Sequence, residues 1–246
     1  TQTTNAYADL LPGAGQHTFE VRAVDAAGNT GLLSGYVFTI DATDPTTPEV
    51  ISMVEDDGLD PNDGITSDTT PTFTRTHADD ASGVWKYQYQ LNGGTWVDFT
   101  AAEFELPQLN QGAYALRIRA VDHAGNAGAA SAAWDFVVDT APPAAPSTLI
   151  LTDDTGASAT DRITSDDSLT LHWNEPADAG GVWMYEVQVD GGGWIQTAGT
   201  SAEITVAPGG HSVDLRAIDW IGRSSVARTF ALSVDQAAPA VAAHTP

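Results

Sequence analysis

One seven-residue motif recurs three times in the sequence at a constant interval. Its consensus is Ala-Val-Asp-x-Ala-Gly-Asn, and the copies occupy residues 23–29, 120–126 and, in degenerate form, 217–223. The aspartates of the motif are Asp25, Asp122 and Asp219, so consecutive copies lie 97 residues apart. An interval this long is the length of a whole domain, close to that of a small β-sandwich of ~100 residues. The sequence therefore predicts a tandem array of such domains.

The composition predicts a folded but strongly acidic chain. It has 33 Asp and Glu against 9 Lys and Arg, a formal net charge of −24, yet 42% of the 246 residues are hydrophobic. Such a surface repels nucleic acid and anionic membranes and attracts multivalent cations. We therefore expect no nucleic-acid partner and no direct membrane insertion. Without cysteine the chain has no disulfides, and bound metal is another way to staple small extracellular domains.

Proline-containing linkers at residues 41–48 and 139–146 divide the chain into repeats. Apolar and polar residues alternate along most segments, which predicts strands and an all-β fold. In the middle repeat the strands are predicted at 49–54, 71–77, 84–91, 95–99, 102–106, 113–121 and 132–138. The predicted domains are the second half of a repeat (1–43), two complete repeats (44–141 and 142–238) and the start of another (239–246). Either the first half of the 1–43 repeat lies upstream, or another domain is inserted between its halves.

Two further motifs accompany the seven-residue motif. Val-Asp-Thr-Ala-Pro-Pro stands at 138–143, and Ile-Thr-Ser-Asp stands at 65–68 and 163–166. Together the motifs resemble the bacterial Ig-like repeats of large, calcium-dependent RTX-type surface adhesins. The third repeat departs from the pattern, because Arg223 replaces the asparagine found at Asn29 and Asn126.

The resemblance implies tandem Ig-like seven-stranded β-sandwich domains joined by short linkers, with Ca²⁺ at the domain junctions. It also implies type I secretion to the bacterial cell surface and a role in cell adhesion and biofilm formation. The chain would be an extender or spacer that projects a ligand-binding region away from the cell. Its partners would be the neighbouring repeats of the same chain, while other regions bind a glycan or protein on the target surface.

The predicted topology gathers acidic loops at the two ends of each repeat. Loops two and six lie where a repeat begins, and loop one lies where it ends. The predicted metal ligands at the start of the middle repeat are Asp41, Asp44, Asp79, Asp80, Asp122 and Asn126, with Asp25 and Asn29 equivalent in the first repeat. At its end, Asp56, Asp57, Asp60, Asp63 and Asp139 meet Asp178, Asp219 and Glu175 of the third repeat, whose own first loop carries Asp153 and Asp154.

Carboxylates crowded together without lysine repel one another, and a hard divalent cation that takes 6–8 oxygen ligands relieves the repulsion. The sequence therefore predicts Ca²⁺ at the domain ends and linkers. The alternative is that these residues are solvated turn formers, since Asp and Asn favour turns. Arg223 either replaces the positive charge of a metal or pairs with Asp219 beside one.

Two other functions are weighed against a metal-stiffened spacer. Catalysis has little support, because the sequence lacks zinc-protease, nucleophile-elbow, P-loop and Rossmann patterns. His17 and His211 share the repeat position of Tyr114, which predicts a structural contact like a tyrosine corner.

The tryptophans leave the second function open. Trp134, Trp173 and Trp220 are predicted to have no aromatic counterpart in the other repeats. They either bind a carbohydrate or peptide directly or pack against strands and junctions. The recurring tryptophans are predicted to be core residues, namely Trp85, Trp96, Trp183 and Trp194.

Overall fold

The computed structural model describes residues 12–152 and 154–239. By contacts, the chain forms two compact units that each take part of the middle repeat. One comprises residues 1–52, 74–104 and 116–134, and the other comprises 53–73, 105–115 and 135–246. The domain boundaries at 43, 141 and 238 stay a prediction.

All regular structure in the described residues is β-structure, as the alternation predicts. No helix among them is long and apolar enough to cross a membrane. In the first repeat, β1 (Gly15–Val21) pairs antiparallel with β2 (Ser34–Ile40). The apolar side chains of this hairpin are largely exposed, with Phe19 at 41% and Tyr36 at 70%, because no second sheet covers them among the described residues.

The middle repeat contains eight strands in two sheets. They are β3 (Val50–Met53), β4 (Ile65–Thr66), β5 (Thr72–Arg75), β6 (Val84–Leu91), β7 (Val97–Phe99), β8 (Glu103–Glu105), β9 (Gly112–Asp122) and β10 (Trp134–Val138). The sheet orders are β3-β5-β8 and β4-β10-β9-β6-β7. All seven predicted strands are present. The additional strand β4 pairs parallel with β10 over only two residues, which is too short for an alternating pattern to reveal.

The third repeat has the same strand order. Its strands are β11 (Ile150–Leu151), β12 (Ile163–Thr164), β13 (Ser168–His172), β14 (Val182–Val189), β15 (Ile195–Thr197), β16 (Ser201–Thr205), β17 (Gly209–Asp219) and β18 (Arg228–Val234). The sheets are β11-β13-β16 and β12-β18-β17-β14-β15, and both contribute to one core around Leu171, Val187 and Leu215. The predicted all-β class with tandem sandwich domains is confirmed.

A β-bulge displaces two tryptophans that the alternation places in the core. The register between β6 and β9 shifts between Val84 and Lys86, so Trp85 is the extra residue and is 56% exposed. The same shift occurs around Trp183 on β14, which is only half-buried. A bulge leaves its extra residue out of the ladder and interrupts the inward–outward alternation. The prediction that these two residues belong to the core is wrong.

Two more tryptophans pack under arginines rather than in the core. The guanidinium carbon of Arg119 lies 4.3 Å from the centre of the Trp96 ring. Arg216 lies 4.2 Å from Trp194 in the same way. Both rings are half-buried, so the core prediction is also wrong for them. Cation–π contacts of this kind hold a ring against the sheet at modest energy.

Candidate functional site

Two clusters of three carboxylates lie at equivalent positions of successive repeats. Cluster 1 consists of Asp41, Asp80 and Asp122, and cluster 2 consists of Asp139, Asp178 and Asp219. Within each cluster, one oxygen from each carboxylate lies within 4.8 Å of the others. Corresponding members are 98, 98 and 97 residues apart. Each cluster therefore combines one aspartate that precedes a linker with two loop aspartates of the repeat that follows it.

The seven-residue motif builds the innermost position of cluster 1. Asp122 ends β9 and is fully buried, and its Oδ1 and Oδ2 accept hydrogen bonds from the backbone and side-chain amides of Asn126 (2.8 and 2.7 Å). Gly125 makes the turn between them at a φ of 95°, which disfavours any side chain. The Asn126 side chain also donates to the carbonyl oxygen of Asp41, at 3.2 Å. The motif thus ties Asp41, at the start of the first linker, to the middle repeat.

Contacts farther along the linker fix the position of Asp41. The backbone amide of Thr46 donates to the Asp79 carbonyl (2.9 Å), and the Asp79 amide donates to the Thr46 hydroxyl (2.7 Å). A Cβ on Gly128 would lie 2.5 Å from the carbonyl oxygen of Pro45, so the linker packs directly on this glycine. Sequence reasoning missed Gly128 and Thr46. The signal for Gly128 is its place two residues after the motif.

Hydrogen bonds favour the ionised form of two carboxylates in cluster 1, Asp41 and Asp122. Those from the side chain and backbone of Thr43 lower the pKa of Asp41. Burial acts to raise the pKa of Asp122, but the side-chain and backbone hydrogen bonds of Asn126 outweigh it and lower the pKa. The Oδ2 atom of Asp41 is buried without a hydrogen-bond partner. Cluster 1 therefore presents negative charge and an unsatisfied oxygen.

Cluster 2 is more buried and electrostatically more strained. Asp139 and Asp219 are both fully buried, and Oδ2 of Asp139 accepts a hydrogen bond from the Gly180 amide at 3.3 Å. The Oδ2 atoms of Asp178 and Asp219 are buried without partners. Burial, and then the negative charge of Asp139, raise the pKa of Asp178 to about 6. Burial also raises the pKa of Asp219.

Arg223 occupies the position of Asn126 in cluster 2 but makes a different set of contacts. Its backbone amide donates to Oδ1 of Asp219 (2.7 Å), as the Asn126 amide does to Asp122. Its guanidinium donates to the carbonyl oxygen of Asp139 at 2.8 Å. The side chain therefore contacts the linker backbone rather than the Asp219 carboxylate.

The acidic first loop of the middle repeat forms no three-carboxylate cluster among the described residues. Asp57 accepts hydrogen bonds from the Thr66 and Ser67 side chains, and Asp60 and Asp63 each accept one from the backbone amide two residues ahead. These are the turn-forming roles of the alternative interpretation.

Asp56 differs from the other aspartates of this loop. Its Oδ2 accepts the Gly64 amide, its Oδ1 is buried without a partner, and burial raises its pKa. Asp154 repeats this arrangement in the third repeat, since its Oδ2 accepts the Arg162 amide and its Oδ1 has no partner.

Other predicted ligands lie outside the two clusters. Asp44, Asp79 and Glu175 are exposed and join neither cluster. Asp25 and Asn29 repeat the hydrogen-bonded turn of the motif but belong to no three-carboxylate cluster among the described residues. Asp153 lies outside the described residues.

The shared aromatic position at the start of the sixth predicted strand is structural, as predicted. The Tyr114 hydroxyl donates to the Asn110 carbonyl at 2.8 Å. Nε2 of His17 and of His211 lies 2.7 Å from the carbonyl oxygen four residues earlier in each case. Each ring therefore anchors the preceding loop, as in a tyrosine corner.

Two of the tryptophans considered as ligand contacts, Trp173 and Trp220, make contacts within the protein, and direct ligand binding stays a prediction. Trp173 is 5% exposed and meets Tyr185 edge-on, with ring centres 5.4 Å apart. Trp220 is half-buried, and its carbonyl accepts the Leu59 amide at 2.7 Å.

Trp134 does have aromatic counterparts. Tyr36 and Phe230 stand, like Trp134, five residues before the aspartate that ends each repeat. Trp134 and Phe230 lie 96 residues apart, one fewer than the 97-residue interval of the motif, so a search at the motif interval misses the correspondence. The prediction that Trp134 is unmatched is wrong.

The middle repeat is similar to a known protein family. Residues 44–140 match the family of the bacterial Ig-like domain. No curated protein sequence matches the chain significantly.

Solved structures that match parts of this chain include the fibronectin(III)-like modules of CbhA from Clostridium thermocellum, at 19% identity over 74% of this chain and 93% of that chain, with a TM-score of 0.32. A two-domain fibronectin type III segment of chicken tenascin has 16% identity over 78% and 100%, with a TM-score of 0.32. A tetra-tandem repeat in the extending region of a large adhesion protein has 20% identity and a TM-score of 0.36. This chain aligns over 91% of its own length and 57% of that protein's.

Proposed function

We propose that this chain is a structural extender segment of a bacterial cell-surface adhesin whose linkers are stiffened by Ca²⁺. The observation that carries the proposal is the recurrence of a three-carboxylate cluster at two successive linkers. The match of residues 44–140 to the bacterial Ig-like domain family supports a modular, non-enzymatic role. We place the segment outside the cell, exported as an RTX-type adhesin would be.

The donor atoms suit a hard divalent cation. Calcium binds 6–8 oxygens, and each cluster offers three carboxylates in a chain with a single lysine, Lys86. Oxygens of Asp41, Asp178 and Asp219 are buried without hydrogen-bond partners. Solvated turn residues would not leave such atoms unsatisfied, because a buried polar atom without a partner is costly. A bound ion would supply the missing positive charge at these oxygens.

A cation held in a cluster would restrain the linker beside it. In cluster 1 the ligand Asp41 precedes the linker, while Asp80 and Asp122 belong to the repeat that follows. An ion shared by all three opposes rotation about the linker. At a concentration ~100 times its dissociation constant, calcium adds ~2.7 kcal/mol per site. Extracellular modules commonly bind it at ~10⁻⁴–10⁻³ M, so the linkers would be ordered outside the cell and loose inside it.

Calcium titration of the whole chain tests the proposal. We expect isothermal titration calorimetry to detect binding at both clusters, with one site lost in Asp80→Asn and the other lost in Asp178→Asn. Asp161→Asn is the matched control, because it removes one charge from a loop outside the clusters and its amide oxygen can still accept the Ile163 amide. Equal binding by all three variants, or no binding at concentrations well above ~10⁻³ M, would reject the proposal.

A further inference from the structure

We infer that Arg223 holds the second linker (residues 139–146) against the third repeat when calcium is absent, so that the ion governs the first linker (residues 41–48) more strongly than the second. The inference rests on the proposed function and refines how calcium regulates the two clusters. It is carried by the contact between the guanidinium of Arg223 and the carbonyl oxygen of Asp139.

The same linker atom is held in both repeats, but by different chemistry. At cluster 1 the neutral amide of Asn126 donates to the Asp41 carbonyl at 3.2 Å. At cluster 2 the charged guanidinium of Arg223 donates to the Asp139 carbonyl at 2.8 Å. Hydrogen bonds with a charged donor are shorter and stronger than neutral ones. The second linker therefore has a tie that needs no ion.

The formal charges of the two clusters also indicate that the second linker depends less on calcium than the first. Three carboxylates and a neutral asparagine give cluster 1 a charge of −3, whereas the arginine reduces that of cluster 2 to −2. Removing calcium therefore leaves a smaller net negative charge at cluster 2 than at cluster 1.

Carboxylate oxygens in cluster 2 remain available to bind an ion even though Arg223 lies beside them. At cluster 1 the Asn126 side chain occupies Oδ2 of Asp122, but Arg223 reaches past Asp219 and leaves the equivalent oxygen without a partner. Calcium can therefore add to the second linker without being required for it. Replacing Arg223 with asparagine should tighten calcium binding at cluster 2, because it removes a nearby positive charge.

A second contact that does not involve the carboxylates supports the second linker. The Leu59 amide, in the first loop of the middle repeat, donates to the Trp220 carbonyl at 2.7 Å. Gly58 approaches the same carbonyl so closely that a Cβ would lie 3.2 Å from it. The Trp220 ring lies 6.4 Å from that of Trp183, centre to centre. The Leu59 and Gly58 contacts join the middle repeat to the third without a metal, and the contact with Trp183 packs the Trp220 ring within the third repeat.

Hydrogen exchange of the linker amides in the whole chain tests the inference. The Ala144 amide donates to the Ala177 carbonyl at 3.1 Å, so its exchange reports opening of the second linker. In the unsubstituted chain we expect a smaller difference between exchange in calcium and exchange in EDTA than in the variant Arg223→Asn. In Arg223→Asn we expect exchange to be about 10- to 100-fold faster in EDTA and to be restored by calcium, since hydrogen bonds to charged groups account for factors of this order.

The reciprocal variant provides a gain of function at the first linker. The Thr46 amide reports on that linker through its bond to the Asp79 carbonyl. Asn126→Arg should slow its exchange in EDTA. Slow amides of β14 and β17 verify that Arg223→Asn remains folded, and those of β6 and β9 verify the same for Asn126→Arg.

The outcomes separate this inference from the proposed function. If Ala144 exchange in the unsubstituted chain accelerates in EDTA as much as in Arg223→Asn, the arginine tie is refuted while calcium stiffening stands. If Arg223→Asn accelerates exchange equally with and without calcium, and calorimetry detects no binding, the proposed function fails and takes the calcium part of the inference with it.

Discussion

Removing a charge at the Asp178 carboxylate should stabilise the metal-free protein. Asp178→Asn keeps the shape of the side chain and deletes one of three mutually repelling carboxylates. Burial and the neighbouring Asp139 raise the pKa of Asp178 to about 6, so the folded state resists ionising it. The turn-residue interpretation, in contrast, predicts a neutral substitution.

The size and pH dependence of this effect follow from the shift in pKa. A rise from 3.8 to about 6 corresponds to about 3 kcal/mol, which solvent screening at a partly exposed group reduces to about 1–2 kcal/mol. The stability from the protonated group is fully present below pH 3.8 and is lost as the pH rises through about 6, because the unfolded chain releases the proton first. The stability that Asp178→Asn gains over the unsubstituted chain should therefore be absent near pH 3.8 and complete above about pH 6.

The assay is native-state hydrogen exchange of the slowest amides of β17, which report the opening free energy of the third repeat. In EDTA at neutral pH, Asp178→Asn should be the more stable protein. In saturating calcium the order should reverse, because the substitution removes a ligand. Asp161→Asn should show neither effect. Equal stability of Asp178→Asn and the unsubstituted chain in EDTA, or a lower stability of the variant there, would refute the reasoning.

Three further substitutions test other parts of the structure. The hydrogen bond that the His211 ring donates to the Asp190 carboxylate raises the pKa of His211, so the stability it contributes is present below about pH 6.5 and is lost as the pH rises through the raised value. His211→Tyr should abolish that component in thermal unfolding measured against pH. Gly128→Ala should loosen the first linker, seen as faster exchange of its amides, because the new Cβ would lie 2.5 Å from the linker carbonyl. Trp173→Ala should cost about 3–5 kcal/mol in chemical unfolding, whereas Trp85→Ala, at an exposed bulge, should cost less than about 1 kcal/mol.

Much of the fold could be predicted from the sequence because its signals are periodic. The 97-residue interval of the motif defined the repeat, and two-residue alternation located all seven expected strands of the middle repeat. The alternation failed at Trp85, where a bulge inserts one residue and reverses the face of the side chain. It also missed β4, because a strand of two residues is too short to show an alternation of apolar and polar residues.

The sites could be predicted only to the level of the loop. Strand direction indicated that Asp41, Asp80 and Asp122 lie at the same end of the middle repeat, and their oxygens do converge. The sequence could not separate Asp80 from its neighbour Asp79, since one residue decides whether a turn side chain points into the cluster. It also left the role of Arg223 open, because the length of that side chain, not its position, determines which oxygen it reaches.

A crystal structure of the chain grown with calcium tests the central claim most directly. The account predicts anomalous difference density in both clusters, with oxygens of Asp41, Asp80 and Asp122, and of Asp139, Asp178 and Asp219, at about 2.3–2.6 Å from the ion. Ordered water alone at both positions, with hydrogen-bond rather than metal–ligand distances, would contradict it.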